Sequence, residues 1–481
     1  MIYNINCIVV YQCKMCHRKG SYLMKTYGII CEYNPFHNGH IYQIEETKRI
    51  TGADHIVAVM SGNYVQRGDL ALVDKFARAQ VAVNHGVDLV IEIPVQYSLS
   101  SAEFFARCGV MTLKSLRCVD GISFGSECGS IEDLKMCADT VDAVSTTDNI
   151  KPLLEQGMSY PEAISQLVAY QAGPLTAKLL DSPNNTLGIE YLRAIKALGI
   201  EDMDAVTVKR KGPAHDGDAP VDGIASATYI RRLIDDGEDF SEYVPEDMKA
   251  IIDDYDDKEL LCWFENLERA ILYRMRTISI PDLKTTAGVG QGLENRIFQA
   301  GHVACSLEQL ISLIKTKRYP EARVRRIILN TLIGIKNEDI RVAPVFGRIL
   351  ALNDRGAEII RMAGSLPESK FCFPFSTSYR EVAKSPNKRI QRTMALNNLA
   401  SDIYTMASRT SRPGGMDFTV PVRLQKIEGF VSELPDDLPT TSVTPEIRAQ
   451  QEAAAKAAAE EVPEIEVVSE ETVEAEEKVT E

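Results

Sequence analysis

The stretch Tyr27–His40, YGIICEYNPFHNGH, decides the fold. Its first five residues are apolar and partly β-branched, as a buried strand requires, and the polar turn after them runs straight into a helical pattern. Pro35 fixes that turn, and Gly39 leaves room for a ligand to lie against the backbone. His37 and His40 stand three apart, so they share a face if the first helix begins between them. A helix start attracts anions, and two imidazoles beside it can donate hydrogen bonds to a triphosphate. No Walker G-x-x-x-x-G-K-[ST] run and no G-x-G-x-x-G occurs at this point, which argues against P-loop and dinucleotide-dehydrogenase chemistry. No third His or Cys lies at ligand spacing nearby, so no tightly bound protein metal is expected.

Four similar segments follow: His55–Met60, Asp88–Ile93, Gly121–Gly125 and Ala205–Arg210. Helical periodicity lies between them, as in Phe76–Asn84 and Ala102–Leu116. The five segments predict an α/β, Rossmann-like parallel five-stranded sheet with right-handed crossovers, binding ligands at the carboxyl ends of its strands. Met158–Leu180 reads as a helical insertion before the fifth strand. From Tyr229 the pattern turns mostly helical, through Tyr229–Asp235, Leu260–Thr277, Leu293–Ala300, Leu307–Thr316, Pro320–Ile335 and Lys388–Ala407, with few strands between. The expected organisation is an extension over 1–23, a catalytic domain over 24–228, a mostly helical domain over 229–431 and an acidic disordered tail over 432–481.

At 481 residues, 45% apolar and 25% charged, the chain suits two domains plus tails and excludes collagenous, wholly disordered and disulfide-scaffold classes. No apolar run approaches the roughly 20 residues that span a bilayer; Val87–Val95 is interrupted by Asp88, Glu92 and Pro94. No membrane partner is expected. The net charge of −15 is mostly local. Between Ser432 and Glu481 there are 15 acidic and 3 basic residues, so the first 431 residues carry only −3 and can present a basic face to nucleic acid. Eleven cysteines without regular spacing point to a reducing, cytoplasmic setting. Cys13-Lys-Met-Cys16-His17 has the spacing of a haem attachment site but no secretory signal before it, and reads as an accidental match. Met24 begins the regular patterning, and residues 1–23 read as an upstream start-site artefact.

H-x-G-H after a first parallel strand is similar to the signature of the nucleotidyltransferases related to class I aminoacyl-tRNA synthetases. The longer run EYNPFHNGH, then MSGNYVQRGDLALVDKFARAQVAVNHGVDLVIEIP from Met60, FGSE, SPNNTLGIEY and VKRKG, resembles one family, the tRNA(Met) cytidine acetate ligases, over Met24–Ala407. GLENRI and KRYPEARVRR extend the likeness. The resemblance implies a cytoplasmic ligase that makes acetyl-adenylate and pyrophosphate from acetate and ATP. It then passes the acetyl group to the exocyclic amine of the wobble cytidine of elongator tRNA(Met). ATP is a substrate, with Mg²⁺ bridging its phosphates, and no protein partner is implied. Carried over by position, the nucleotide-binding segment is Ile30, Cys31, Glu32, Tyr33, Asn34, Pro35, Phe36, His37, Asn38, Gly39, His40, Ile41, Tyr42 and Gln43. Further ATP contacts fall on Gly125, Asn185 and Arg210, with Asn184 competing for the match to Asn185. Ile224–Arg231 is similar to the I-S-S-T-x-x-R phosphate loop of the wider class, which places Ser226, Thr228 and Arg231 at phosphate.

Read as residues alone, these positions keep alternatives. Gly125 ends a strand where a side chain would block a purine or ribose, or is a plain turn glycine. Arg210 offers a planar fork to phosphate, or is a surface cation. Asn185 and Ser226 can be helix caps. For catalysis the bet falls on His37, His40 and Arg210 at the phosphates. Cys31 reads as a buried strand residue, since a mixed anhydride needs no acyl-carrying thiol. For RNA the strongest feature is Lys315, Lys317, Arg318, Tyr319, Arg323, Arg325 and Arg326: six cations and one acid around an aromatic. A solvated helix face is its alternative, and Arg296, Arg380, Lys388, Arg389 and Arg392 are weaker additions. Two other functions stay open on the residues: a small-molecule adenylyltransferase, and a tRNA-binding protein that holds ATP without turning it over.

Overall fold

The computed structural model describes residues 24–212, 219–290, 292–366 and 369–430. The extension over 1–23, with its Cys13-x-x-Cys16-His17 run, and the acidic tail lie outside the described residues. The five expected strands are present and mutually parallel: β1 Thr26–Cys31, β2 His55–Ser61, β5 Leu89–Ile93, β6 Gly121–Ser126 and β7 Asp204–Lys209. A short hairpin, β3 Tyr64–Val65 and β4 Asp69–Leu70, stands between β2 and β5. The central order β5-β2-β1-β6-β7 reverses direction at β1, so the ligand crevice is expected between β1 and β6. β1 pairs with β2 along its whole length, from Thr26↔His55 to Cys31↔Met60. With β6 it pairs only at Tyr27↔Gly121 and Gly28↔Ile122. Beyond Gly28 the two strands part, and the crevice opens there.

Alternation along the strands builds two cores. Tyr27, Ile29, Ile56, Ala58 and Met60 face Ile44 of helix α1 (Asn38–Thr51) and Phe76 of helix α2 (Lys75–Asn84). Ile30, Val57, Val59 and Ile91 face Phe105, Val110 and Leu113 of the Ala102–Ser115 helix. That helix lies so close to β1 that a Cβ on Gly28 would come within 2.4 Å of Leu113, and one on Gly109 within 2.5 Å of Ile30. The insertion is helical as expected, in Tyr160–Ala172 and Pro174–Lys178.

The later part departs from the sequence reading in two places. The Leu260–Thr277 helix starts only at Glu268, after a 3-10 turn at Phe264–Leu267, because Cys262 and Trp263 donate their N–H groups to Leu72 and Ala407 across the chain. More consequential, the sheet has eight strands rather than five. β8 (Gly347–Asn353) pairs antiparallel with β5, and β9 (Phe375–Ser376) and β10 (Arg423–Gln425) pair parallel with β8. Four buried charges fasten this addition: Lys75 Nζ lies 2.6 Å from Glu92 and 2.7 Å from Asp417, and Arg348 on β8 pairs with Asp417. Among the described residues no helix is long and apolar enough to cross a membrane.

Candidate functional site

The start of α1 is built by the two histidines themselves. His37 is its N-cap, and its Nδ1 accepts a hydrogen bond from the Gly39 N–H at 3.1 Å. His40 Nδ1 accepts in turn from the His37 N–H at 3.1 Å, a capping box made with imidazoles. The rings stack with centroids 3.7 Å apart, and Tyr33 meets His40 edge-on at 4.7 Å. Because each Nδ1 accepts, each ring carries its proton on Nε2 and keeps that N–H for a ligand. Burial and the nearby Arg210 charge hold His37 down to about 3; burial, His37 and Arg210 hold His40 well below the usual histidine range. Both are therefore neutral donors at physiological pH.

These rings line a cleft of about 440 Å³ together with Gly39, Tyr42, Gln43, Gly125, Val208, Arg210, Lys211, Ile224 and Ala225. A Cβ on Gly125 would lie 3.3 Å from Arg210 Cγ, so glycine keeps the β6 end open to the cleft. Arg210 follows β7 directly and is exposed. Lys211, which the sequence reading did not single out although it stands in VKRKG, holds Nζ 4.2 Å from the Tyr42 ring centroid.

Apart from Glu32, which bonds the hairpin at Gln66, the rest of the expected nucleotide segment supports this cleft from behind. Ile30, Tyr33, Asn34 and Phe36 are buried, as is Pro35. Asn34 clamps the hairpin, donating to Leu70 O at 3.0 Å and accepting from Leu72 N at 2.8 Å. Asn38 donates to Glu242 O at 2.8 Å, and Ile41 packs on the core. Burial pushes the Cys31 thiol above its ordinary range, which suits a packed strand residue and not a nucleophile.

Asn185 is not among the lining residues. Its Oδ1 accepts from the Glu127 and Cys128 N–H groups at 3.0 and 3.2 Å, while the Glu127 carboxylate accepts from the Asn185 N–H at 2.9 Å and from the Asn184 side chain at 2.6 Å. Glu127 thus caps the Pro183–Ala197 helix, and Asn185 shapes the loop after β6. Sequence reasoning did not single out Glu127, although it stands in the FGSE run as the first residue after β6.

Of the phosphate-loop residues, Ser226 caps the Ala227–Asp236 helix, accepting from Tyr229 N at 3.1 Å, and Thr228 is exposed. Arg231 donates to Asn34 O at 2.8 Å. The neighbouring Ile224 and Ala225 line the cleft instead. A third residue missed in the sequence is Arg78, a fully buried cation on the apolar face of α2. It donates to the carbonyls of Glu32, Gly62 and Val73 and so fixes the ends of β1 and β2.

The basic cluster divides. Tyr319 is buried, with the Arg323 guanidinium 5.1 Å from its ring, so it is not presented for base stacking. Arg323 donates to Gly288 O, Arg325 to Gly68 O with an ion pair to Asp69 at 3.0 Å, and Arg326 to Gln66 O at 2.9 Å. Arg325 and Arg326 tie the hairpin to the Glu321–Ile333 helix, and Arg323 ties that helix to the loop at Gly288. Lys315 pairs with Glu321 at 2.8 Å and Lys317 lies 3.8 Å from Glu162, both on the surface beside Arg318. Among the weaker additions, Arg296, Arg389 and Arg392 bond Leu313 O, Ala343 O and Asp339, while Arg380 and Lys388 are exposed.

Residues 24–415 match the family model described as HIGH nucleotidyl transferase. The tRNA(Met) cytidine acetate ligase of Alkaliphilus metalliredigens (strain QYMF) is 37% identical over 412 residues, covering 81% of this chain and 95% of the relative. That of Thermoanaerobacter sp. (strain X514) is 36% identical over 409 residues, covering 83% and 99%. The crystal structure of Thermotoga maritima TmcAL bound with alpha-thio ATP aligns at a TM-score of 0.75 and 28% identity, covering 84% of this chain and 100% of that one. The chain belongs to the HIGH nucleotidyl transferases and to the tRNA(Met) cytidine acetate ligase family, and it is a ligase.

Proposed function

We propose that this cleft binds ATP as a substrate and activates acetate, and that the acetyl group then passes to the wobble cytidine of elongator tRNA(Met) in the cytoplasm. The observation that carries the reading is the pair of stacked, neutral imidazoles at the start of α1, on one cleft with Gly125 and Arg210. In the first step an acetate oxygen bonds to the α-phosphorus, the bond from that phosphorus to the bridging oxygen breaks, and pyrophosphate leaves with the electron pair. Such a step is served by positioning and charge neutralisation rather than by a covalent intermediate. The two Nε2–H donors and the α1 dipole would orient the phosphates, and Arg210 and Lys211 would supply positive charge.

In the second step the cytidine N4 attacks the acetyl carbonyl, AMP departs and N4 loses one proton. The neutral Cys31 thiol supports direct transfer without an acyl-enzyme. Among the described residues no group of three His, Cys, Asp or Glu side chains could hold a metal ion. The described residues therefore offer no cage for Mg²⁺, and no step is routed through it. The free thiols of the eight described cysteines support a reducing compartment. On the RNA side, Lys315, Lys317 and Arg318 are the members of the basic cluster that support contact with phosphates.

The test is incubation of the chain with labelled acetate, ATP and bulk tRNA, followed by nucleoside analysis. N4-acetylcytidine in elongator tRNA(Met), with AMP and pyrophosphate released, is the expected result. ATP consumption only in the presence of a phosphorylated metabolite favours an adenylyltransferase, and ATP binding without turnover favours a binding protein; either outcome overturns the proposal.

A further inference from the structure

Glu32 is the one acid in the segment expected to hold ATP, and a carboxylate repels phosphate. Its place is nonetheless closely controlled. It follows β1 directly, at the switch point where β1 and β6 part. Its Oε1 accepts from the Gln66 N–H at 2.6 Å, and its own carbonyl is gripped by the buried Arg78. Gln66 is held in turn by Arg326 of the Glu321–Ile333 helix and donates through its side chain to Ser100 O at 3.3 Å. Oε2 takes no hydrogen bond among the described residues. A half-buried carboxylate, fixed by one oxygen and bare at the other, is an acceptor waiting for a donor.

The charges around it narrow the choice of donor. Arg67 from the hairpin tip, Arg78 from α2 and Arg231 from the Ala227–Asp236 helix all act on Glu32, and Cys31 and Tyr191 are its neutral titratable neighbours. Three guanidinium groups disfavour a divalent cation at this carboxylate. A neutral amine suits it: carboxylates accept from the N4 amine of cytosine, the group the second step must deprotonate. Burial raises the Glu32 carboxyl above the usual carboxylate range, which makes it a stronger base.

We propose that Glu32 is a catalytic residue of the acetyl-transfer step, receiving the cytidine amine on Oε2 and taking its proton. The inference rests on the reading of the cleft as an acetyl-adenylate site. As N4 bonds to the acetyl carbon, the bond from that carbon to the phosphate oxygen breaks and AMP leaves with the electron pair. The N4 proton passes to Glu32 and from there to solvent.

The experiment supplies preformed acetyl-adenylate and an elongator tRNA(Met) transcript to the full chain and follows single-turnover N4-acetylation against pH. The wild type is expected to show an acid limb, faster as Glu32 loses its proton. Glu32→Gln is expected to slow transfer by about 10² or more and to abolish the limb; Glu32→Asp is expected to restore both in part. A wild-type profile flat from pH 5 to 8 overturns the assignment even if no variant folds. So does a Glu32→Gln protein that transfers at the wild-type rate, or one slowed equally at every pH with its limb intact. A wild type that makes acetylcytidine neither from acetyl-adenylate nor from ATP and acetate overturns the underlying reading and the assignment with it.

Discussion

At the scale of the residue, His37 has two tasks that substitution can separate. Asparagine caps a helix about as well as any residue but brings no imidazole N–H. His37→Asn is therefore expected to hold stability within about 0.5 kcal/mol while lowering acetate-dependent pyrophosphate release by roughly 10²-fold. His37→Ala should lose both, with about 1 kcal/mol of stability gone. Denaturant unfolding read beside turnover checks the split. The protonation state gives a second expectation. His37 sits near 3 in the folded chain against about 6.5 when unfolded, so between those values the unfolded state binds the extra proton. Stability from this group is complete above pH 6.5 and declines as pH falls toward 3. An NMR titration should find neither cleft imidazole changing charge from pH 5.5 to 8; a midpoint near 6.5 for both contradicts neutral donors.

At the scale of the element, the basic run from Lys315 to Arg326 shows what a one-dimensional reading confuses. Charge density was legible, but which cations face solvent depends on a hairpin more than 240 residues earlier in the chain, at Gln66–Asp69. Tyr319→Ala should accordingly cost about 3 kcal/mol of stability, as truncating a buried aromatic does, instead of acting on tRNA alone. Lys317→Ala should leave folding unchanged and reduce the salt dependence of tRNA binding by about one phosphate contact. Filter binding at several salt concentrations, set against melting curves, distinguishes the two. Asn185 belongs to the same lesson. The sequence marked it as important and as a cap, and the structure has Glu127 doing the capping while Asn185 holds the Glu127–Cys128 backbone. The pairing was hidden because its partners lie 58 residues apart.

At the scale of the whole molecule, five strands and their parallel sense could be read from apolar β-branched runs, turns and the helical patterns between them, and the ligand end of the sheet from the H-x-G-H junction. β8 could not. Gly347–Asn353 is buried along its whole length like β2 and β5, but it stands among helical patterns and a charged residue interrupts its apolar run. What marks it is Arg348, a cation inside an apolar run whose partners Glu92 and Asp417 lie far away in sequence. Lys75→Met is expected to cost about 3–5 kcal/mol, because it leaves Glu92 and Asp417 short of a buried counter-charge; calorimetry reads this directly. All the chemistry proposed for the chain depends on the opening βα junction holding the phosphates while a carboxylate attacks. Isotope exchange between pyrophosphate and ATP is the direct measure of that step. Exchange should require acetate in the wild type and fall by 10²–10³ in His40→Ala; exchange without acetate, or at an undiminished rate in that variant, contradicts it.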